Sequence, residues 1–221
     1  MLLRSRATVR TGICGWRPLN SDGSASAAAH VSRDALRQLL RSRRRALGVT
    51  QRAHAARAIT RHIAAARWLH GARPIGLYVS VGLEVSTEAL RRLAHSRNCP
   101  VYLPRISDYR QRAMRFARDR DDLSLVNRHG IPEPPVAETV PARSLSVAFL
   151  PLLGFDAAGT RLGSGAGYYD RAFAFRRRRH SWHRPLLIGL AFACQRVDHI
   201  ERGAHDVPLD AVVTEDGVEY F

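Results

Sequence analysis

Apolar residues fall into a helical rhythm at Leu36, Leu39, Leu40 and Leu47, which predicts a helix opened by Ser32 as N-cap and stopped by Gly48. Thr50 then reads as the cap of a second helix, rich in alanine and arginine, running to about Leu69 and closed by Gly71. The continuous apolar run IGLYVS from Ile75 predicts a buried strand, and a further helix follows over 87–97. Short strand-like runs recur at 101–103, 146–150, 186–191 and 211–214, separated by helical or polar segments. Strands alternating with helices predict an α/β layered sheet. The stretch IPEPP, 131–135, reads as a loop, and no internal repeat is visible.

Residues 1–30 break this pattern. They carry Arg4, Arg6, Arg10 and Arg17 against Asp22 alone, with a Ser/Ala-rich run over 21–29 and no hydrophobic period. They lack both the amphipathic arginine face of a transit peptide and the long apolar centre of a secretory signal, so they read as a disordered extension. Residues 31–221 are then one α/β domain. With 45% hydrophobic and 24% charged residues the chain can build a sizeable core, and it contains no run of about 18 apolar residues that would make a membrane a partner.

The net charge is +16 and every one of the 35 basic residues is arginine. The absence of lysine excludes a Schiff-base lysine, a Walker-type phosphate lysine and a serine/lysine dyad. Anions must instead be held by guanidinium forks or backbone N–H groups. The complete replacement of lysine looks like a coding bias, so the charge excess is discounted as a nucleic-acid signal. Cys14, Cys99 and Cys194 are odd in number and lack metal-ligand spacing, which points away from disulfides and zinc and toward a reducing, cytoplasmic home.

The densest chemistry lies in GFDAAGTRLGSGAGYYDR, from Gly154 to Arg171. Gly163, Gly165 and Gly167 free the backbone to approach a ligand, and YYDRAF reads as a helix start, so strand, loop and helix N-terminus together suggest a phosphate cradle. On the glycines alone, an ordinary strand-to-helix turn is an equal explanation. Their neighbours shift the balance. Arg161 can clamp a phosphate, Tyr168 and Tyr169 can stack on a flat heterocycle, and Asp170 can hold a magnesium ion. Downstream, HDVPLD supplies His205, Asp206 and Asp210. Magnesium takes one or two protein carboxylates, so Asp170 with Asp206 would suffice.

These motifs resemble the 5-formyltetrahydrofolate cyclo-ligase family, also called 5,10-methenyltetrahydrofolate synthetases. The resemblance runs from Ser32 to about Glu215 through SRDALR, YVSVGLEVST, RLGSGAGYYD, GLAFACQ and HDVPLDAVVTE. It implies a three-layer α/β/α sandwich around a mixed, mostly parallel, Rossmann-like sheet, and a monomeric enzyme using ATP and Mg2+. By this resemblance Arg33, Arg37, Arg161, Leu162, Gly163, Ser164, Gly165, Ala166, Gly167, Tyr168 and Tyr169 would contact ATP. Val79, Glu84, Ser164, Gly165, Ala166, Gly167 and Tyr168 would line the folate pocket. Asp170 and Asp206 would hold the metal, and Arg161, Tyr168 and Asp170 would stand at the reacting groups. The chain departs from the family pattern at Arg33, where lysine is usual, at Ala166, often glycine, and at Ala193, often glutamate.

The implied reaction needs no protein nucleophile. The N5-formyl group is an amide whose oxygen leaves poorly; phosphorylation converts that oxygen into a leaving group, and N10 then closes the ring with release of ADP and phosphate. Such catalysis is positioning and charge stabilisation. Glu84 would orient the pterin, although an acid before a helix is otherwise an ordinary N-terminal feature. The run Arg176 to Arg179 with His180, Trp182 and His183 reads as an exposed loop, basic enough to attract a polyglutamylated folate tail. A basic RNA-binding protein with a structural glycine loop is the alternative from another class; RNA binding, however, would not require the tyrosines and Asp170 beside that loop.

Overall fold

The structure is a computed structural model describing residues 32–135, 138–178 and 184–221. The extension read over 1–30 lies outside these residues, as does the 179–183 part of the basic run. In chain order the elements are α1 (Arg33–Ala46), α2 (Val49–Ala65), β1 (Ile75–Gly76), α3 (Glu88–Ser96), β2 (Val101–Asp108), β3 (Ala113–Arg118), β4 (Leu125–Val126) and β5 (Pro132–Glu133). They continue with β6 (Thr139–Val140), β7 (Val147–Pro151), β8 (Gly154–Phe155), β9 (Arg161–Leu162), α4 (Tyr168–Ala172), β10 (Leu186–Leu190), β11 (Ala211–Thr214) and β12 (Gly217–Tyr220).

Helix α1 starts where its cap predicts, with Ser32 Oγ accepting the Ala35 N–H at 3.2 Å. Leu36 and Leu40 are buried against Leu162 and Ile200, but Leu39 lies outside this narrow stripe and is 46% exposed. The second cap differs from the expectation. Gly48, not Thr50, is the N-cap of α2; glycine offers no capping side chain, and Gln51 Oε1, from the third helical position, accepts the N–H of the cap residue at 2.7 Å. The helix ends at Ala65; the chain turns through left-handed Arg67, φ 58°, and sends Leu69 into the core.

Eight strands form one sheet in the order β12-β11-β10-β7-β1-β2-β3-β6. The central five, β11 to β2, are parallel, while β12, β3 and β6 pair antiparallel at the edges. Strand alternation sorts the core into two faces. Val147 and Phe149 of β7, Ile188 and Leu190 of β10 and Val213 of β11 meet α2 through Ala55, Ile59 and Ile63, and α3 through Leu90 and Ala94. The intervening Ala148, Leu150, Leu187 and Val212 face the opposite way, onto Phe155, Phe173, Val207 and Leu209. The sheet is thus covered on both faces, as the alternation predicts; the second cover consists of the five-residue α4, 3-10 turns and loops rather than long helices.

Two parts escape the sequence pattern. Strand β2 runs well past residue 103 and folds back on β3, because its outer half carries Pro104, Arg105 and Ser107 and has no continuous apolar signature. Within IPEPP, Pro132–Glu133 pairs with β4. The chain also reverses direction across the sheet, leaving β1 for β2 on one side and returning later to β7 on the other. Such a reversal opens a crevice at the carboxyl ends of the strands, where ligands of parallel sheets bind.

Candidate active site

A cleft of about 700 Å³ occupies that crevice. Tyr78, Val79 and Glu84, beyond the end of β1, line it together with Pro151, Leu152 and Leu153 at the end of β7. Both walls are tied down. Tyr78 Oη donates to Val85 O at 2.8 Å and Thr87 Oγ1 donates to Tyr78 O at 2.7 Å, fixing the loop that carries Glu84. Gln195 of the GLAFACQ motif donates from Nε2 to Leu152 O and Leu153 O, each at 2.9 Å, so the carbonyls that turn away from β7 remain satisfied.

The glycine loop, 163–167, forms the floor beside α1. Asp156 builds the hairpin before it, accepting the N–H groups of Ala158, Thr160 and Ile200, and thereby delivers β9 to the cleft. Gly165 and Gly167 have φ of +107° and +72°, conformations that favour glycine. Among the described residues, the N–H groups of 163–167 donate to no acceptor. Helix α4, with five residues, is too short to contribute a helix dipole, so the groups offered at the loop are its own N–H groups and the neighbouring guanidinium groups, not the helix N-terminus that the sequence suggested.

Arginines surround the loop. Arg37 Nε donates to Gly163 O at 3.3 Å while its Nη1 pairs with Asp34 at 2.5 Å. Arg33 Nη1 donates to Asp206 Oδ2 at 2.7 Å and to Glu201 O at 3.0 Å. Arg161 Nη2 donates to Asp170 Oδ1 at 2.7 Å; its buried Nε has no partner among the described residues. Both predicted metal-binding carboxylates are therefore brought into the cleft, each held by an arginine. The Val207 N–H also reaches Asp170 Oδ1 at 3.4 Å, which places the second carboxylate segment against the first. Burial pushes the Asp206 carboxyl up, but the hydrogen bonds from Arg33 and the Gly203 N–H, with the charges of Arg33 and Arg161, hold it below the usual carboxylate range. Asp210, by contrast, is structural: it accepts from Arg176 at 2.6 Å and from the Leu187 N–H at 2.7 Å.

Tyr168 opens into the cleft with its ring 6.1 Å from His129, which in turn lies 5.9 Å from Tyr109. Tyr168 and His129 thus form an aromatic wall of the cleft, their rings inclined at 75°, while Tyr109 is not part of its lining. Tyr169 packs against the second core layer, and burial followed by the Glu84 charge pushes its phenol up. Burial likewise pushes the Glu84 carboxyl up, against the Val81 N–H it accepts at 3.0 Å and the charge of Arg44.

A family model described as the 5-formyltetrahydrofolate cyclo-ligase family matches residues 29–215. The chain belongs to that family. A 5-formyltetrahydrofolate cyclo-ligase of Haemophilus influenzae is 34% identical over 182 residues, covering 80% of this chain and 94% of that relative. One from Mus musculus is 29% identical, covering 87% and 98%. Among solved structures, the NMR structure of Aquifex aeolicus 5,10-methenyltetrahydrofolate synthetase superposes with a TM-score of 0.70 at 25% identity, over 85% of this chain and 92% of that one.

Every residue that the family resemblance assigned to the site, Leu162 apart, lines this cleft, whereas Asp210 of the HDVPLD run does not; Leu162 is buried with Leu36 and Leu40. The sequence reading missed Arg41, Arg44, Asn127, His129 and Glu133. Glu133 is buried and accepts from the Ile106 N–H at 3.1 Å and Asn127 Nδ2 at 2.9 Å. Arg41 and Arg44 continue the helical row begun by Arg33 and Arg37, a period that was available in the sequence. Nothing local marks Asn127, His129 and Glu133, which arrive on the unread hairpins.

Proposed function

We propose that this protein is an ATP-dependent ligase that converts 5-formyltetrahydrofolate to 5,10-methenyltetrahydrofolate, with release of ADP and phosphate, acting in the cytoplasm as a monomer without a nucleic-acid partner. Membership of the cyclo-ligase family supports the reaction class. The row of unspent N–H groups over 163–167, flanked by Arg37 and Arg161 and set beside two carboxylates, carries the reading. A polyphosphate matches this array in charge and in acceptor number.

In this reading Arg33, Arg37, Arg161 and the loop through Tyr169 take the nucleotide, while Val79, Glu84, the loop glycines and Tyr168 take the folate. Each of the two carboxylates keeps an oxygen, Asp170 Oδ2 and Asp206 Oδ1, without a hydrogen bond from the described residues, a donor set that suits Mg2+. When bound, ATP with Mg2+ supplies the phosphoryl group that turns the formyl oxygen into a leaving group. The protein's own contribution is orientation. Tyr168 and the aromatic wall hold the pterin plane, and Glu84 accepts from its N–H edge. Arg37, Arg161 and the loop N–H groups stabilise charge on the transferring phosphoryl group. Leu152, Leu153 and Met114 keep the folate end apolar, which strengthens these interactions.

The test is spectrophotometric. Purified protein should form methenyl product from 5-formyltetrahydrofolate only when both ATP and magnesium are present; no product under those conditions, together with tight RNA binding at physiological salt, overturns the reading.

A further inference from the structure

Helix α1 turns Arg33, Arg37, Arg41 and Arg44 into the cleft from one face. At a rise of about 1.5 Å per residue, the row covers roughly 16 Å of the cleft from Arg33 to Arg44. Its two ends differ. Arg33 and Arg37 are engaged by Asp206, Asp34 and backbone carbonyls. Arg44 is half-buried and its Nε is closed off from solvent, yet that donor has no hydrogen-bond partner among the described residues. No hydrogen bond or ion pair engages the rest of the Arg44 guanidinium among the described residues either, so its outer N–H groups are available to a ligand acceptor in the cleft that the residue lines.

Arg44 shares the cleft wall with Glu84 and lies within range of its charge. Among the described residues the two form no ion pair, and Glu84 accepts only the Val81 N–H, through Oε2, which leaves Oε1 without a hydrogen bond. The pyrimidine edge of a reduced pterin presents the complementary series: the 2-amino N–H and N3–H donate, and O4 accepts. We infer that Arg44 donates to O4 of the pterin beside Glu84, as a positioning residue that selects a 4-oxo over a 4-amino pteridine. This rests on the ligase reading above. Burial holds the Arg44 pKa below its ordinary value, with the Glu84 charge opposing, which fits a cation held away from full hydration. The sequence offers a local reason for the placement, since Arg44 sits three turns along from Arg33 on the same face.

The experiment compares wild type with Arg44→Met, which keeps the length of the apolar stem, and with Arg44→Lys, which keeps the charge but loses the fork. Dissociation constants are measured calorimetrically for 5-formyltetrahydrofolate and for its 4-amino analogue, alongside steady-state KM values for folate and ATP. The expected result is that Arg44→Met weakens the 4-oxo ligand about tenfold, leaves the 4-amino ligand unchanged or tighter, and raises the folate KM without moving the ATP KM. Arg44→Lys should fall between wild type and Arg44→Met. Equal loss for both pteridines, or none, overturns the assignment of Arg44 while leaving the ligase reading intact, provided wild type forms methenyl product. Wild type that binds neither pteridine overturns both.

Discussion

Single residues in this protein are decided by what partners them, and the clearest case lies away from the cleft. The Asp119 side chain is fully buried, with Arg91 donating to both its oxygens at 2.5 and 2.8 Å and His95 Nε2 at 2.9 Å. Burial pushes this carboxyl up, but the bonds from Arg91, His95 and the Asp121 N–H outweigh it and hold the group below the usual range. A lowered folded pKa stabilises the protein above the unfolded carboxylate value of about 3.9, and that contribution fades as the pH falls through the lower, folded value. Asp119→Asn should therefore cost about 2–3 kcal/mol at neutral pH, discounted because Arg91 keeps Asp121 and Glu88. Denaturant melts of both proteins across pH should show the gap closing below about pH 4; a gap independent of pH would contradict the ion pair. In the cleft, Gly165 at φ +107° is the corresponding special position. Alanine there strains the backbone by about 1–3 kcal/mol. Because the loop can relieve that strain by moving, Gly165→Ala should raise the ATP KM about tenfold while barely shifting the unfolding midpoint.

Elements matter here as carriers. Helix α1 carries a comb of guanidinium groups along the cleft, and its tooth at Arg33 is bound to Asp206. Arg33→Ala should raise the KM for ATP about tenfold and leave that for folate within twofold; an equal effect on both substrates would make Arg33 a general support for the Asp206 segment. Strand β10 is constrained by packing instead. A Cβ added at Gly189 would lie 2.6 Å from Leu152 Cδ2 and 2.8 Å from Leu209 Cδ1, below any normal contact. Gly189→Ala should lower stability by about 1–3 kcal/mol, read as a drop of several degrees in the thermal midpoint. Leu152 also lines the cleft wall, so turnover should fall in the same variant.

At the scale of the whole molecule, the site is assembled from segments far apart in sequence: α1, the loop after β1, the glycine loop and the 203–207 segment. If Asp170 and Asp206 share a magnesium ion as proposed, Asp170→Asn and Asp206→Asn should each lower turnover in a way that extra magnesium partly restores, because each would take one charged oxygen from that ion. Loss with no response to magnesium would assign both carboxylates to the arginines alone. Removing residues 1–30 should leave turnover intact, since all but two residues of the matched family region, 29–215, are kept and the described residues that line the cleft begin at Arg33.

The chain's local pattern by itself determined the parallel centre of the fold. Val147 to Leu150, Leu186 to Leu190 and Ala211 to Thr214 are buried on both faces, so they read as unbroken apolar runs that need no partner to be recognised. It also determined the glycine loop, because positive φ and close backbone approach leave few residue choices. The edge hairpins were decided only by tertiary structure. β3, β5 and β12 are polar, short or proline-bearing, and they form because a neighbouring strand edge offers hydrogen bonds. With those hairpins came His129 and Glu133, and with the register of α1 against the sheet came the distinction between Arg33, engaged by a carboxylate, and Arg44, whose buried Nε has no partner among the described residues. A sequence shows that an arginine is present; which acceptor it meets depends on distances between elements that no local pattern encodes.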